Sequence, residues 1–254
     1  MIQKPIYRPS GKANEYAEFA CNIYTGCNHG CTYCYARSFK SRIDPINGKA
    51  EFDNPKPRPL IVESVKRQLD KDKISGEMIH LCFMCDPYPA EIDTTPTRLV
   101  IQAIKEAGNN VQILTKGGYR AEQDFDLLDG NDYFGATITT VYDWMGKENL
   151  EPRAAHFLER LATLKAAKKR GIKTWVSLEP VIEPESVYTL IQEGSYIDLF
   201  KIGKMNYQHS DIDWAEFGAK CEALCKKHGR KYYLKLDLRE AMLKGGKGGA
   251  DNGV

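Results

Sequence analysis

Short apolar runs alternate with amphipathic segments of helical length along most of this 254-residue chain, and that alternation leaves few folds open. The predicted strands are Phe19–Tyr24, Ile79–Phe83, Val111–Thr115, Phe134–Thr139, Thr174–Leu178, Leu199–Ile202 and Tyr232–Leu236. Between them, "TPTRLVIQAIKEAG" carries Thr95 as an N-cap, Pro96 in the first turn and Gly108 as a stop. "AAHFLERLATLKAAKKRG" puts Phe157, Leu161 and Leu164 on one stripe and closes at Gly171. "DWAEFGAKCEALCKKHG" does the same with Trp214, Phe217, Cys221, Leu224 and Cys225. Strand–helix repetition implies a parallel sheet, because parallel neighbours need a crossover that is usually a helix. The units are too few for a closed eight-fold barrel, so we expect a partial, open-sided α/β barrel forming one domain over residues 1–242. Two segments break the rhythm. "DPINGKAEFDNPKPRP" (44–59), with four prolines, reads as an extended surface excursion. The glycine-rich "LKGGKGGADNGV" (243–254) reads as a disordered tail.

The C-terminal ends of the predicted strands are polar, and in α/β barrels chemistry gathers there. They read "CDPYPAE", "TKGG", "TT", "SLEP" and "GKMN". After the first predicted strand comes "GCNHGCTYCYAR", with Cys27, Cys31 and Cys34 spaced C-x3-C-x2-C. Three thiolates on one loop can hold three irons of a [4Fe–4S] cube and leave the fourth iron open to chelate a small molecule. Gly26 and Gly30 would let the backbone wrap the cube. The alternatives are a zinc site completed by His29, a redox C-x-x-C pair, or three unrelated buried cysteines.

Composition narrows the setting. The chain is 42% hydrophobic, enough for a full core, and has no apolar run of 18 residues, so no membrane helix is expected. The start "MIQKPIYRPSGK" lacks the apolar stretch of a secretory signal, so a cytoplasmic protein with reduced thiols is expected. Net charge is +2, and the pI of about 8.0 neither demands nor forbids a nucleic-acid partner. "KAAKKR" and "CKKHGRK" read as solvated helix ends. Cys221, Cys225 and Cys21 read as core residues.

The cysteine loop resembles that of the radical S-adenosylmethionine (radical SAM) enzymes, whose motif is C-x3-C-x-aromatic-C. "NIYTGCNHGCTYCYAR", "CDPYPAE", "ILTKGG", "LEPRAAHFLERL", "GIKTWVSLEPVI" and "KIGKMNY" resemble, more narrowly, the branch related to spore photoproduct lyase. The resemblance implies a partial (β/α)6 TIM-type barrel with the cluster at its mouth. It implies that Cys27, Cys31 and Cys34 ligate the cluster and that Tyr33 packs near the adenine of SAM. It places Asp86 where the methionine amino group is recognised, Lys116 at the SAM carboxylate, and Thr137, Ser177 and Glu179 as further SAM contacts. Tyr35 and Cys85 are the candidates facing substrate. The implied reaction is reductive cleavage of SAM to a 5′-deoxyadenosyl radical that takes hydrogen from an unidentified substrate. The electron would come from a carrier such as a flavodoxin or ferredoxin. The lyase's hydrogen-donor cysteine falls here on Phe83, with Cys82 and Cys85 on either side, and no added DNA-gripping element is visible. A lesion lyase and a non-catalytic iron–sulfur protein are therefore the alternatives.

Overall fold

The structure, a computed structural model, describes residues 4–141, 150–206 and 208–245. Eight strands form one sheet in chain order: β1 (Ile6–Tyr7), β2 (Phe19–Cys21), β3 (Met78–Leu81), β4 (Asn110–Thr115), β5 (Tyr133–Thr137), β6 (Lys173–Leu178), β7 (Leu199–Ile202) and β8 (Tyr232–Leu234). Only β1 runs antiparallel; β2 to β8 are parallel. The two edge strands do not pair among the described residues, so the sheet is curved but open, the expected α/β partial barrel. β1 went unread because two residues carry no alternation. The cysteine loop follows β2, the first parallel strand.

The helices are α1 (Tyr35–Ile43), α2 (Gly48–Asp53), α3 (Ile61–Asp72), α4 (Thr95–Glu106), α5 (Phe157–Lys169), α6 (Pro184–Glu193), α7 (Trp214–Lys227) and α8 (Leu236–Leu243). Among the described residues, no helix is long and apolar enough to cross a membrane. In α7 the expected stripe is buried through Trp214, Phe217, Cys221 and Cys225, and Asp213 caps it by accepting from the amides of Ala215 and Glu216. In α4 the cap differs from expectation. Thr95 is already helical, and the Asp93 carboxylate accepts from its amide at 2.9 Å and its hydroxyl at 2.7 Å. In α5 the buried face is Arg160, Thr163, Leu164 and Ala167, not Phe157 and Leu161. An arginine in the stripe hid that face from a hydrophobic pattern.

Segment 44–59 is not simply extended. It contains α2, whose Phe52 is buried, and it folds back so that the Phe52 carbonyl accepts from the Cys27 amide at 2.9 Å. Residues 246–254 of the expected tail lie outside the described residues; 243–245 end α8.

Two features position the site. Cross-strand register sets Thr137 beside Ser177, Ser177 beside Lys201, and Lys201 beside Tyr233, one row near the C-terminal ends of β5 to β8. The N-terminal segment, with a 3-10 helix over Gly11–Glu15, crosses that row from the other side. The Tyr16 carbonyl accepts from Gln112 Nε2 at 3.0 Å and Lys201 Nζ at 3.2 Å. Glu15 Oε1 accepts from the Tyr233 hydroxyl at 3.0 Å and the Leu236 amide at 2.7 Å. The chain thus ties β4, β7 and β8 together with its own N-terminal residues.

Candidate active site

A cavity of about 410 Å³ opens at the C-terminal ends of the parallel strands. All eleven candidate residues line it: Cys27, Cys31, Cys34, Tyr33, Tyr35, Cys85, Asp86, Lys116, Thr137, Ser177 and Glu179. It has a thiol end and a polar far end.

The thiol loop is shaped by its glycines and its neighbours. A Cβ on Gly26 would lie 2.1 Å from the Phe52 carbonyl oxygen, and Gly30 has φ +75°. Cys34 caps α1, its Sγ accepting from the Arg37 amide at 3.5 Å. Burial pushes the Cys27 and Cys31 thiols above their ordinary range. His29 turns to protein partners instead of joining the thiols: its Nε2 lies 3.1 Å from Arg120 and its Nδ1 3.6 Å from Asp86. Burial also lowers its proton affinity. Among the described residues no three His, Cys, Asp or Glu side chains converge on a single-ion site. Three soft thiols spread around one cavity, without a fourth protein ligand, suit a polynuclear iron–sulfur group, one iron to each sulfur, with a position left for a small ligand.

Lys116 leaves the end of β4 between the loop and Tyr33, its Nζ 5.5 Å from the centre of that ring. No hydrogen bond or ion pair engages its ammonium among the described residues. Burial works against its charge, but the Cys31 and Glu151 side chains around it more than offset that, and it holds its proton more tightly than a free lysine. Asp86 sits beside it with both oxygens committed. Oδ1 accepts from the Tyr88 amide (2.8 Å) and the Thr115 hydroxyl (2.6 Å), and Oδ2 from the Lys116 amide (2.9 Å). Its carboxylate therefore ties the loop after β3 to the end of β4.

The same loop carries Cys85. The Asn22 side-chain Oδ1 accepts from the amides of Phe83 and Met84 at 2.8 and 2.9 Å, with Cys85 Sγ at 4.0 Å. Cys82 takes φ +71° there, the strained left-handed region for a side-chain-bearing residue. Tyr35 donates to the Phe83 carbonyl at 2.7 Å, bridging α1 to this loop.

At the far end, Glu179 accepts from Asn206 (2.5 Å), Lys235 and the Tyr16 hydroxyl (3.3 Å). Tyr16 also lies 3.0 Å from Ser177 Oγ. Tyr16, Asn206, Lys235, Lys12 and Phe52 line the cavity and escaped sequence reading. Lys12 and Tyr16 come from the segment between β1 and β2, Lys235 from the end of β8 and Phe52 from the proline-rich loop, where no local pattern marks them, while Asn206 ends the polar "GKMN" without being singled out.

Also missed was a clamp on the thiol loop. The Leu150 carbonyl accepts from Thr32 (3.0 Å), the Arg153 amide donates to His29 (3.0 Å), and the Ala155 amide donates to Lys116 (2.9 Å). Glu151 accepts from the Tyr33 hydroxyl and pairs with the buried Arg160, which also reaches the Ala155 and Thr137 carbonyls at 2.7 and 2.9 Å. Burial opposes the Glu151 charge, but Arg160 and Lys116 hold its carboxyl below the usual range.

Residues 21–186 match the Radical SAM superfamily. The chain is 27% identical over 211 residues to uncharacterized protein ORF301 of Acidianus two-tailed virus, covering 76% of this chain and 68% of that protein. It is 27% identical over 169 residues to uncharacterized protein MJ0683 of Methanocaldococcus jannaschii, covering 65% and 61%. The chain thus spans about two thirds of the length of these relatives. Spore photoproduct lyase, solved with bound AdoMet and dinucleoside spore photoproduct, matches the fold with a TM-score of 0.65 at 15% identity, over 89% of this chain and 78% of that one. SuiB of Streptococcus suis, bound to S-adenosylmethionine, matches at 0.59 and 13%, over 85% and 50%. At these identities the likeness is one of fold. Because the superfamily match runs from Cys21 to Ser186 and takes in the whole cysteine loop and strands β3 to β6, the protein belongs to the radical SAM superfamily.

Proposed function

We propose that this radical SAM enzyme holds a [4Fe–4S] cluster on Cys27, Cys31 and Cys34 and binds SAM between that loop and Lys116. With both bound, an electron from a carrier cleaves SAM reductively, and the resulting 5′-deoxyadenosyl radical takes hydrogen from a substrate at the far end of the cavity. The observation that carries this reading is the unpartnered Lys116 ammonium on the same cavity as three thiols from one loop. An ammonium whose donors make no hydrogen bond or ion pair can give a charge-assisted hydrogen bond to an anionic ligand group such as a carboxylate.

The chain's own residues divide the work. The clamp at 150–155 and Asp86 hold the thiol loop and Lys116 in fixed relation. Tyr33, its hydroxyl given to Glu151, presents a ring edge and face to a flat heterocycle. Thr137 and Ser177, adjacent in register, offer hydroxyls across the middle of the cavity. Tyr16, Glu179, Asn206 and Lys235 form a hydrogen-bonded wall for the substrate. Cys85 offers a thiol hydrogen at the cavity beside Tyr35.

The test is anaerobic reconstitution with iron and sulfide, followed by dithionite and SAM. The expected result is iron and sulfide bound in near fourfold ratio to chain and release of 5′-deoxyadenosine. A reconstituted protein that binds SAM and never cleaves it would overturn the reading.

A further inference from the structure

Helix α1 leaves the thiol loop with an apolar face that no described residue covers. Of its nine residues only Ala36 is buried. Tyr35, Phe39 and Ile43 recur at four-residue spacing and so share one face. They are 47%, 46% and 66% exposed, and Ile46, just beyond the helix, is 88% exposed. Single exposed apolar residues are ordinary on a protein surface; a continuous stripe of four is an interaction surface.

The charge around the stripe is predominantly positive. α1 carries Arg37, Lys40 and Arg42 and no acidic residue. Residues 35–60 hold six basic and three acidic side chains, a net +3, whereas the whole chain has +2. The rest of the chain, with 30 basic and 31 acidic side chains, is close to neutral. Arg37 is committed to Asp53, with Nε 2.7 Å from the carboxylate, which leaves Lys40 and Arg42 to face a partner. An apolar centre with a cationic rim selects an acidic protein surface and speeds its encounter. A nucleic acid would use the cations and both rings but leave Ile43 and Ile46 uncovered.

The position of the stripe narrows the partner. It begins one residue after Cys34, the thiol that caps the same helix. Protein-to-protein electron transfer needs the two centres close, and no other exposed element starts at a cluster thiol. We infer that the Phe39–Ile43 face of α1, continued by Ile46, is the docking surface for a small acidic electron carrier, a flavodoxin or ferredoxin. This inference rests on the function proposed above. The reduced carrier loses one electron and the cluster gains it; no atom is exchanged and no bond changes at the surface.

The test measures binding as well as activity. An acidic flavodoxin and an acidic ferredoxin, each oxidised, are titrated against the reconstituted protein at low and at physiological salt. The variants are Phe39→Glu, Ile43→Glu and the pair Lys40→Glu with Arg42→Glu, all outside the cavity. At least one carrier should bind, more weakly as salt rises, and each variant should lose at least tenfold in affinity. Iron content and dithionite-driven SAM cleavage should stay at the unmutated level, while cleavage driven by the reduced carrier falls with binding. Three results would overturn the inference: no binding of either carrier, equal binding by all variants, or a variant loss confined to oligonucleotide binding. Unmutated protein that cleaves no SAM with dithionite strikes at the proposed function instead. Intact dithionite cleavage, with carrier-driven cleavage unchanged in every variant, strikes at the docking surface alone.

Discussion

Lys116, on the cavity, and His80, in the core, show how single groups set the properties of this chain. If the Lys116 ammonium meets the carboxylate of SAM, Lys116→Ala should weaken SAM binding roughly ten- to hundredfold, the worth of a charge-assisted contact. Iron content should not change, and unaltered SAM affinity would remove Lys116 from the site. His80, on β3, carries the opposite problem. Gln112 Nε2 can only donate, so His80 Nδ1 accepts its bond at 3.0 Å and the imidazole proton rests on Nε2, which is buried without a partner. The ring stacks on Phe83 at 4.2 Å and faces Tyr16 and Trp175. Burial first, then the charge of Lys201, pulls its pKa from 6.5 to about 3. The unfolded chain therefore takes up a proton near pH 6.5 that the native chain refuses until about pH 3. The contribution of His80 to stability is whole above that window and falls with pH inside it, by about 1.4 kcal/mol per pH unit. Urea unfolding at pH 7, 6 and 5 should show a shallower acid slope for His80→Gln than for the unmutated chain. Parallel slopes would refute the assignment.

At the scale of elements, α5 does more than cover the sheet. It places Arg160 under the clamp, where Glu151 connects it to Tyr33, so a helix behind β5 supports a loop after β2. Removing one member of a buried ion pair leaves the other charge uncompensated, at a cost of about 3–5 kcal/mol. Arg160→Met should lower stability by that order and loosen the thiol loop, seen as iron lost on gel filtration. Replacing both, Arg160→Met with Glu151→Leu, should restore much of the stability but not the position of Tyr33, so SAM affinity should remain reduced. Full recovery of SAM affinity in the double variant would show that the pair serves packing alone.

At the scale of the whole molecule, the eight cysteines fall into classes by where the fold puts them. Cys221 and Cys225 are fully buried in the face that α7 turns to the core, far in sequence from the thiol loop. Cys221→Ala should cost about 1–2 kcal/mol for the small volume lost and leave iron and sulfide per chain unchanged. Cys31→Ala should abolish cluster assembly, because no spare thiol sits on that loop. Equal iron loss in both variants would mean that the cavity does not hold the only cluster.

The periodicity of the chain by itself determined the parallel α/β partial barrel, since strand spacing and helical crossovers leave little else for such a pattern to form. The loop Gly26–Arg37 likewise declared its thiols, because the three cysteines are close in sequence and their spacing is itself the chemical signal. The polar strand ends could be marked because in a parallel sheet the ends of successive strands come to one face, while the individual residues from Asp86 to Glu179 were named through the resemblance to radical SAM enzymes. What the sequence could not show is which distant groups meet them. Tyr16 reaches Ser177 across 161 positions, and Lys235 meets Glu179 across 56. Arg160, unmarked by any hydrophobic pattern, finds its buried partner in Glu151 only in the folded chain. Asp86, expected as a ligand contact, lines the cavity and also braces it, through one hydrogen bond within its own loop and two to the end of β4. Local pattern reports periodicity and spacing along the chain; the partners of a buried charge are chosen by the tertiary fold, which alone decides how it is desolvated and what compensates it.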